Sequence, residues 1–217
     1  MLKVPKNIRH IIFDFDGTLV DSALGIISCL SNVLNNNNIT PECELNTKLI
    51  GPPLVDMIKS TSNIDDADQL VKLSEEFKVC YDSKGYKDTI VFPGVYDMLT
   101  TLLNKDISLY IATNKRDKPT RLIIDYLSWE NFFIKIYSVD MNNKLFSSKS
   151  KMISAIIKNE KLDKTRTVYI GDRVEDAVAA FDNKLEYIMV DWGFSDLHNF
   201  NGKIATSSQD LYNKIAF

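Results

Sequence analysis

Ile11-Ile12-Phe13-Asp14-Phe15-Asp16-Gly17-Thr18-Leu19-Val20-Asp21-Ser22 is the stretch whose reading decides the fold. A short apolar run that ends abruptly in acidic residues reads as a buried strand entering a polar loop. Side chains two apart in an extended chain point the same way. Asp14 and Asp16 therefore face one site, while Phe13 and Phe15 turn into packing. Gly17 permits a sharp exit from the strand. Two carboxylates this close repel each other, which raises their affinity for a divalent cation. One of them can attack phosphorus while the other moves a proton. Standing alone, a DxD before glycine would be read more simply as a turn.

The same pattern recurs downstream. Residues 107–112 form an apolar run ending in Thr113-Asn114-Lys115, and residues 167–170 another ending in Gly171-Asp172-Arg173. Residues 187–190 end in Asp191, and a shorter run at 134–139 ends at Asp140. Helical patterns at 95–104, 151–161 and 176–183 separate these strands. Strands alternating with helices imply right-handed crossovers and a mainly parallel sheet. In such sheets ligands sit beyond the carboxyl ends of the strands, where these polar residues fall.

Residues 21–87 differ. They carry no convincing strand, but Ala23, Ile27, Leu30 and Leu34 form one helical stripe, and Leu70, Leu73, Phe77 and Cys80 another. The asparagine run at 35–38 and Gly51-Pro52-Pro53 mark turns between them. The expected organisation is an α/β core made of residues 1–20 and 88–217, with an all-helical insertion at 21–87.

Composition narrows the function. The 217 residues suffice for one α/β domain with a modest insertion. Net charge is −3 with no basic block, so a nucleic acid polymer is not an expected partner. No stretch of 18 apolar residues occurs and Met1 to His10 lacks an apolar signal core, so no membrane association and a cytoplasmic location are the default expectations. Cys29, Cys43 and Cys80 are odd in number and widely spaced, which disfavours a zinc site or a disulfide framework. Buried or half-buried free thiols are expected.

Three further signals bear on chemistry. In Gly171-Asp172-Arg173-Val174-Glu175-Asp176 the two aspartates share a face if a helix begins there, though an N-capping Asp with a first-turn acid fits equally well. Thr113 and the backbone at Asn114 suit a phosphoryl oxygen, and are also common turn residues. Lys149 or Lys151 precedes the helix ahead of Gly171.

Taken in order, DxDGT, helical insertion, Thr-Asn, Lys and GDxxxD, these features resemble the haloacid dehalogenase superfamily over nearly the whole chain. Ile50-Gly51-Pro52-Pro53-Leu54, Phe92-Pro93-Gly94-Val95 and Asp191-Trp192-Gly193-Phe194 look like its phosphoglycolate-phosphatase-like branch. The resemblance implies a Rossmann-like core with a helical cap and a Mg²⁺-dependent phosphatase acting through an aspartyl-phosphate. Asp14 would be the nucleophile and Asp16 the acid and base. Asp14, Asp16 (through its carbonyl), Asp172 and Asp176 would form the metal site. Thr113 and Lys149 would hold the phosphoryl group, assisted by Gly17, Thr18 and Asn114, and Gly51 would touch substrate from the cap. Lys149 is preferred over Lys151 because Ile153 follows four residues later, as in relatives. Asn183 stands where many relatives carry glycine and is expected to take a left-handed cap.

The expected partner is a small phosphorylated metabolite and the expected state a monomer or homodimer. A 5′-nucleotidase, a pyrophosphatase and a β-phosphoglucomutase-like mutase share the pattern. A dehalogenase is disfavoured by Asp16. A phospho-receiver domain is shorter and carries its aspartate after a middle strand.

Overall fold

The computed structural model describes residues 7–143, 145–194 and 200–215. The expected polar N-terminus at 1–6 and the end of the expected core at 216–217 lie outside the described residues.

In chain order the elements are β1 (His10–Phe13), β2 (Val20–Asp21), α1 (Ala23–Asn36), α2 (Leu54–Ser62), α3 (Ala67–Ser83), β3 (Ile90–Val91), α4 (Val95–Leu103), β4 (Ser108–Thr113), α5 (Asp117–Tyr126), β5 (Lys135–Ser138), α6 (Lys149–Asn159), β6 (Thr167–Gly171), α7 (Val174–Asp182), β7 (Glu186–Val190), β8 (Lys203–Ala205) and α8 (Ser208–Lys214). Six strands form one sheet in the order β5-β4-β1-β6-β7-β8, with every pairing parallel. β1 is flanked by β4 on one side and β6 on the other, with Phe13 level with Ile111 and Ile170. The chain leaves β1 in one direction and later returns to the other side, so a crevice opens at the carboxyl end of β1.

The alternation in β1 sorts its side chains onto two apolar layers. Ile11 and Phe13 pack with Leu99 of α4, Ile123 of α5 and Leu211 of α8. Ile12 packs on the other face with Met152 and Ile156 of α6 and Ala180 of α7. Burial on both faces is why these strands are continuous hydrophobic runs rather than alternating ones. Phe13 and Phe15 are fully buried, as their position beside the two aspartates requires.

Helices α1, α2 and α3 build a third cluster, in which Leu30, Leu34, Ile58 and Leu73 are fully buried. β2 and β3 pair antiparallel, Val20 with Val91 and Asp21 with Ile90, and so bring the two ends of this helical unit together. Asp21 thus belongs to a strand pair. Helices α2, α5 and α8 and strand β8 lie beyond the elements expected from periodicity. Helix α6 begins two residues before its expected start because Ser148 caps it, its hydroxyl accepting from the Lys151 N–H at 3.2 Å.

Two expectations are corrected. Cys29 and Cys80 form a disulfide between α1 and α3, with Cα atoms 5.8 Å apart, and Cys43 is an exposed free thiol. The pairing joins residues 51 apart, and packing of the two helices alone brings them face to face. Asn183 is right-handed (φ −90°), and the left-handed residue is Lys184 (φ 59°). The Asn183 amide is instead a buried tie, donating to the carbonyls of Ser150 at 3.0 Å and Ala179 at 2.8 Å.

Candidate active site

Asp14 sits at the end of β1, where the strand hands over to a tight turn. Gly17 has φ 83°, and a Cβ on it would lie 2.4 Å from Asp172 Oδ2. Both the backbone conformation and the space exclude a side chain there. Beside Asp14, β4 delivers Thr113 and β6 delivers Asp172. Asp176 reaches the same point from the first turn of α7, where one carboxylate oxygen accepts the Arg173 N–H at 3.2 Å. Its other oxygen accepts from the Tyr169 hydroxyl at 3.0 Å.

Lys149, the first residue of α6, completes the cluster. Its ammonium donates to Asp14 Oδ1 at 2.5 Å and to the Ala112 carbonyl at 3.2 Å, and lies 3.1 Å from Asp176 Oδ1. The side chain of Lys151 is exposed, so geometry separates the two lysines.

Asp14, Asp172 and Asp176 are all buried and each offers an oxygen within 4.8 Å of the others. Asp172 Oδ2 accepts from the Phe194 N–H at 2.8 Å, while its Oδ1 is buried with no hydrogen-bond partner among the described residues. Buried acids facing one ammonium leave negative charge uncompensated, which is costly unless a cation joins them. The cluster and the orphaned oxygen fit a hard divalent ion with oxygen ligands.

The same burial sets the protonation chemistry. Burial drives the Asp14 carboxyl up to about 8 against the pull of Lys149, and Asp176 and Asp172 push it further. Burial, reinforced by Asp176, raises Asp172 to about 7. Burial pulls Lys149 down, but Asp14 and Asp176 outweigh it, so its net shift is upward and it stays charged.

Asp16 is half-buried and turned away from that cluster. Its carboxylate accepts from the Ser22 hydroxyl at 2.5 Å and from Lys115 at 3.1 and 3.2 Å. Lys115 is the residue the motif reading missed. It also bonds the Tyr81 hydroxyl at 2.9 Å and lies over that ring. Its place two residues after Thr113 was the available signal, but a lysine in a turn ordinarily points to solvent.

A cavity of about 350 Å³ opens over these groups. Asp14, Asp16, Thr113, Asn114, Lys149, Asp176 and Gly51 line it, whereas Gly17, Thr18 and Asp172 do not. Gly17 and Thr18 shape the turn instead, with the Thr18 carbonyl accepting from Trp192 Nε1 at 3.1 Å. The helical unit is tied across the cavity by Arg116 to Asp82 at 2.6 Å and by Arg173 to the Ile50 carbonyl.

The chain belongs to the haloacid dehalogenase-like hydrolase family, whose model matches residues 11–190. It is 29% identical over 189 residues to a 5′-nucleotidase of Pseudomonas aeruginosa, spanning 85% of this chain and 83% of that protein. It is 28% identical over 185 residues to the tyrosine-protein kinase PtkA of Mycobacterium tuberculosis, spanning 85% of this chain. That match covers 62% of the kinase, less than two thirds of its length. A predicted phosphatase of Clostridium acetobutylicum superposes with a TM-score of 0.86 at 27% identity, over 97% of this chain and 99% of that one. Among the described residues no helix is long and apolar enough to cross a membrane.

Proposed function

We propose that this chain is a Mg²⁺-dependent phosphatase that hydrolyses small organic phosphate monoesters through an aspartyl-phosphate on Asp14. The observation that carries this reading is a buried carboxylate at the end of the central strand, 2.5 Å from a lysine whose side chain is 9% exposed, and clustered with two further buried acids. Family membership and phosphatase-named relatives support it.

In the first half-reaction an Asp14 oxygen attacks phosphorus in line, the ester P–O bond breaks, and Asp16 gives its proton to the departing alkoxide. In the second, Asp16 takes a proton from water as that water attacks phosphorus, and the P–O bond to Asp14 breaks to release phosphate. Lys149 and Thr113 balance and position the phosphoryl oxygens. Asp14, Asp172 and Asp176 would hold Mg²⁺, which when bound offsets charge on the phosphoryl group. Lys115 and Ser22 orient Asp16 between the two transfers. The helical unit would exclude bulk water as a cap.

The test is p-nitrophenyl phosphate hydrolysis with Mg²⁺ and with excess chelator, on the wild type and on Asp16→Ala. Turnover should require the metal, and Asp16→Ala should slow both formation and breakdown of the phosphoryl-enzyme. Full activity in chelator, or unchanged breakdown in the variant, would remove the corresponding role.

A further inference from the structure

The helical unit lines the cavity with Ile26, Ile50, Leu54, Met57 and Phe77, and Phe194, whose N–H reaches Asp172, joins them. Phe77 stacks on Tyr81 with centroids 5.7 Å apart, and both rings line the cavity while being largely buried in the helical cluster. The cations that line the same cavity are all engaged. Lys149 is paired with Asp14 and Asp176, Lys115 with Asp16, and Arg116 with Asp82. Arg173 donates to the Ile50 carbonyl and lies 3.5 Å from Glu175, an acid that itself lines the cavity. The phosphoryl group would take Lys149 and the metal. Each described lining cation thus already faces a protein acceptor, and a second anionic group on the substrate would have to displace one of these contacts.

From this we infer the substrate class: a phosphate monoester whose leaving alcohol is uncharged and largely apolar, with room for a ring, rather than one carrying a carboxylate or a second phosphate. The inference rests on the phosphatase reading and deepens it. An anionic leaving group would enter an apolar wall without a counter-charge and lose hydration there. A ring would gain burial against Phe77, Met57 and Ile26. Discrimination through burial of a ring is on the order of tenfold to a hundredfold.

Leaving-group basicity must be matched for a fair test, so the comparison is between primary alkyl esters. We expect kcat/KM for benzyl phosphate to exceed that for phosphoglycolate by at least about tenfold at saturating Mg²⁺. Phe77→Leu keeps an apolar wall but removes the ring, and should lower the ratio of kcat/KM for benzyl over methyl phosphate, mainly through KM. Phosphoglycolate matching benzyl phosphate would overturn the assignment, as would an unchanged benzyl-to-methyl ratio in a folded Phe77→Leu protein. If neither these esters nor p-nitrophenyl phosphate is hydrolysed with Mg²⁺, the phosphatase reading itself falls and the substrate class with it.

Discussion

At the carboxyl edge of the sheet, Asp14, Lys149, Asp172 and Asp176 are packed within a few ångströms and buried. Across the cavity, the wall drawn from the helical unit is mainly apolar, with Tyr81 as its polar tip. The first region gathers charge where the carboxyl ends of β1 and β6 meet the first turns of α6 and α7. The second offers surface that favours or rejects a leaving group by burial. On the proposed function, the difference assigns reaction type and substrate preference to separate parts of the chain. They touch at few places, chiefly Tyr81 with Lys115, Asp82 with Arg116, and Ile50 with Arg173.

The division breaks if its central member can be spared. Asp14→Asn should lower kcat by on the order of 10⁴-fold or more, with the far-UV circular dichroism spectrum unchanged. Near-normal turnover in a folded variant would move the nucleophile elsewhere. Asp172→Asn should raise the Mg²⁺ concentration for half-maximal activity by at least about tenfold, measured by metal titration of the rate, with a smaller change in KM for substrate. An unaltered metal requirement would take Asp172 out of the cluster's function.

The helical side is sharpened by Leu73→Ala, which empties a fully buried position among α1, α2 and α3. It should cost about 2–5 kcal/mol of local stability. Hydrogen exchange should quicken in α1 and α3 while the amides of β1 and β6 keep their protection. Equal loss of protection in both regions would show that they unfold as one unit.

The smallest effect is one of pH. Asp14 and Asp172 are raised to about 8 and about 7 in the metal-free protein, above an ordinary carboxyl value of 3.8. A raised folded value favours the folded state while the group is protonated, and that stability is lost as pH climbs through about 7 to 8. The metal-free Tm should therefore fall between pH 5 and 8 on account of these two groups. Mg²⁺ must displace their protons at pH 5, but at pH 8 it meets Asp172 largely ionised and Asp14 about half ionised. The rise in Tm on adding Mg²⁺ should then be larger at pH 8, and an equal rise at both values would contradict the arrangement.

The sheet was legible because fully buried parallel strands are short apolar runs, and their carboxyl ends are where the polar residues stand. Asp14, Asp172 and Thr113 sit at strand ends for that reason. Lys115 escaped because nothing local distinguishes a turn lysine in solvent from one drawn in by Asp16 and Tyr81, residues 99 and 34 positions away. The Cys29–Cys80 pair escaped likewise, since spacing does not reveal which helices pack together.

The alternation of the central strands with helices, the parallel sheet and the acidic strand ends follow from period, burial and turn chemistry, all of which act between near neighbours in the chain, whereas α2, α5, α8 and β8 did not show in that pattern. The pairing of Asp16 with Lys115, the contact of Lys149 with both Asp14 and Asp176, the bridge between α1 and α3 and the apolar side of the cavity came only with the tertiary structure. These depend on residues far apart in sequence meeting at one place, and packing decides which side chains meet.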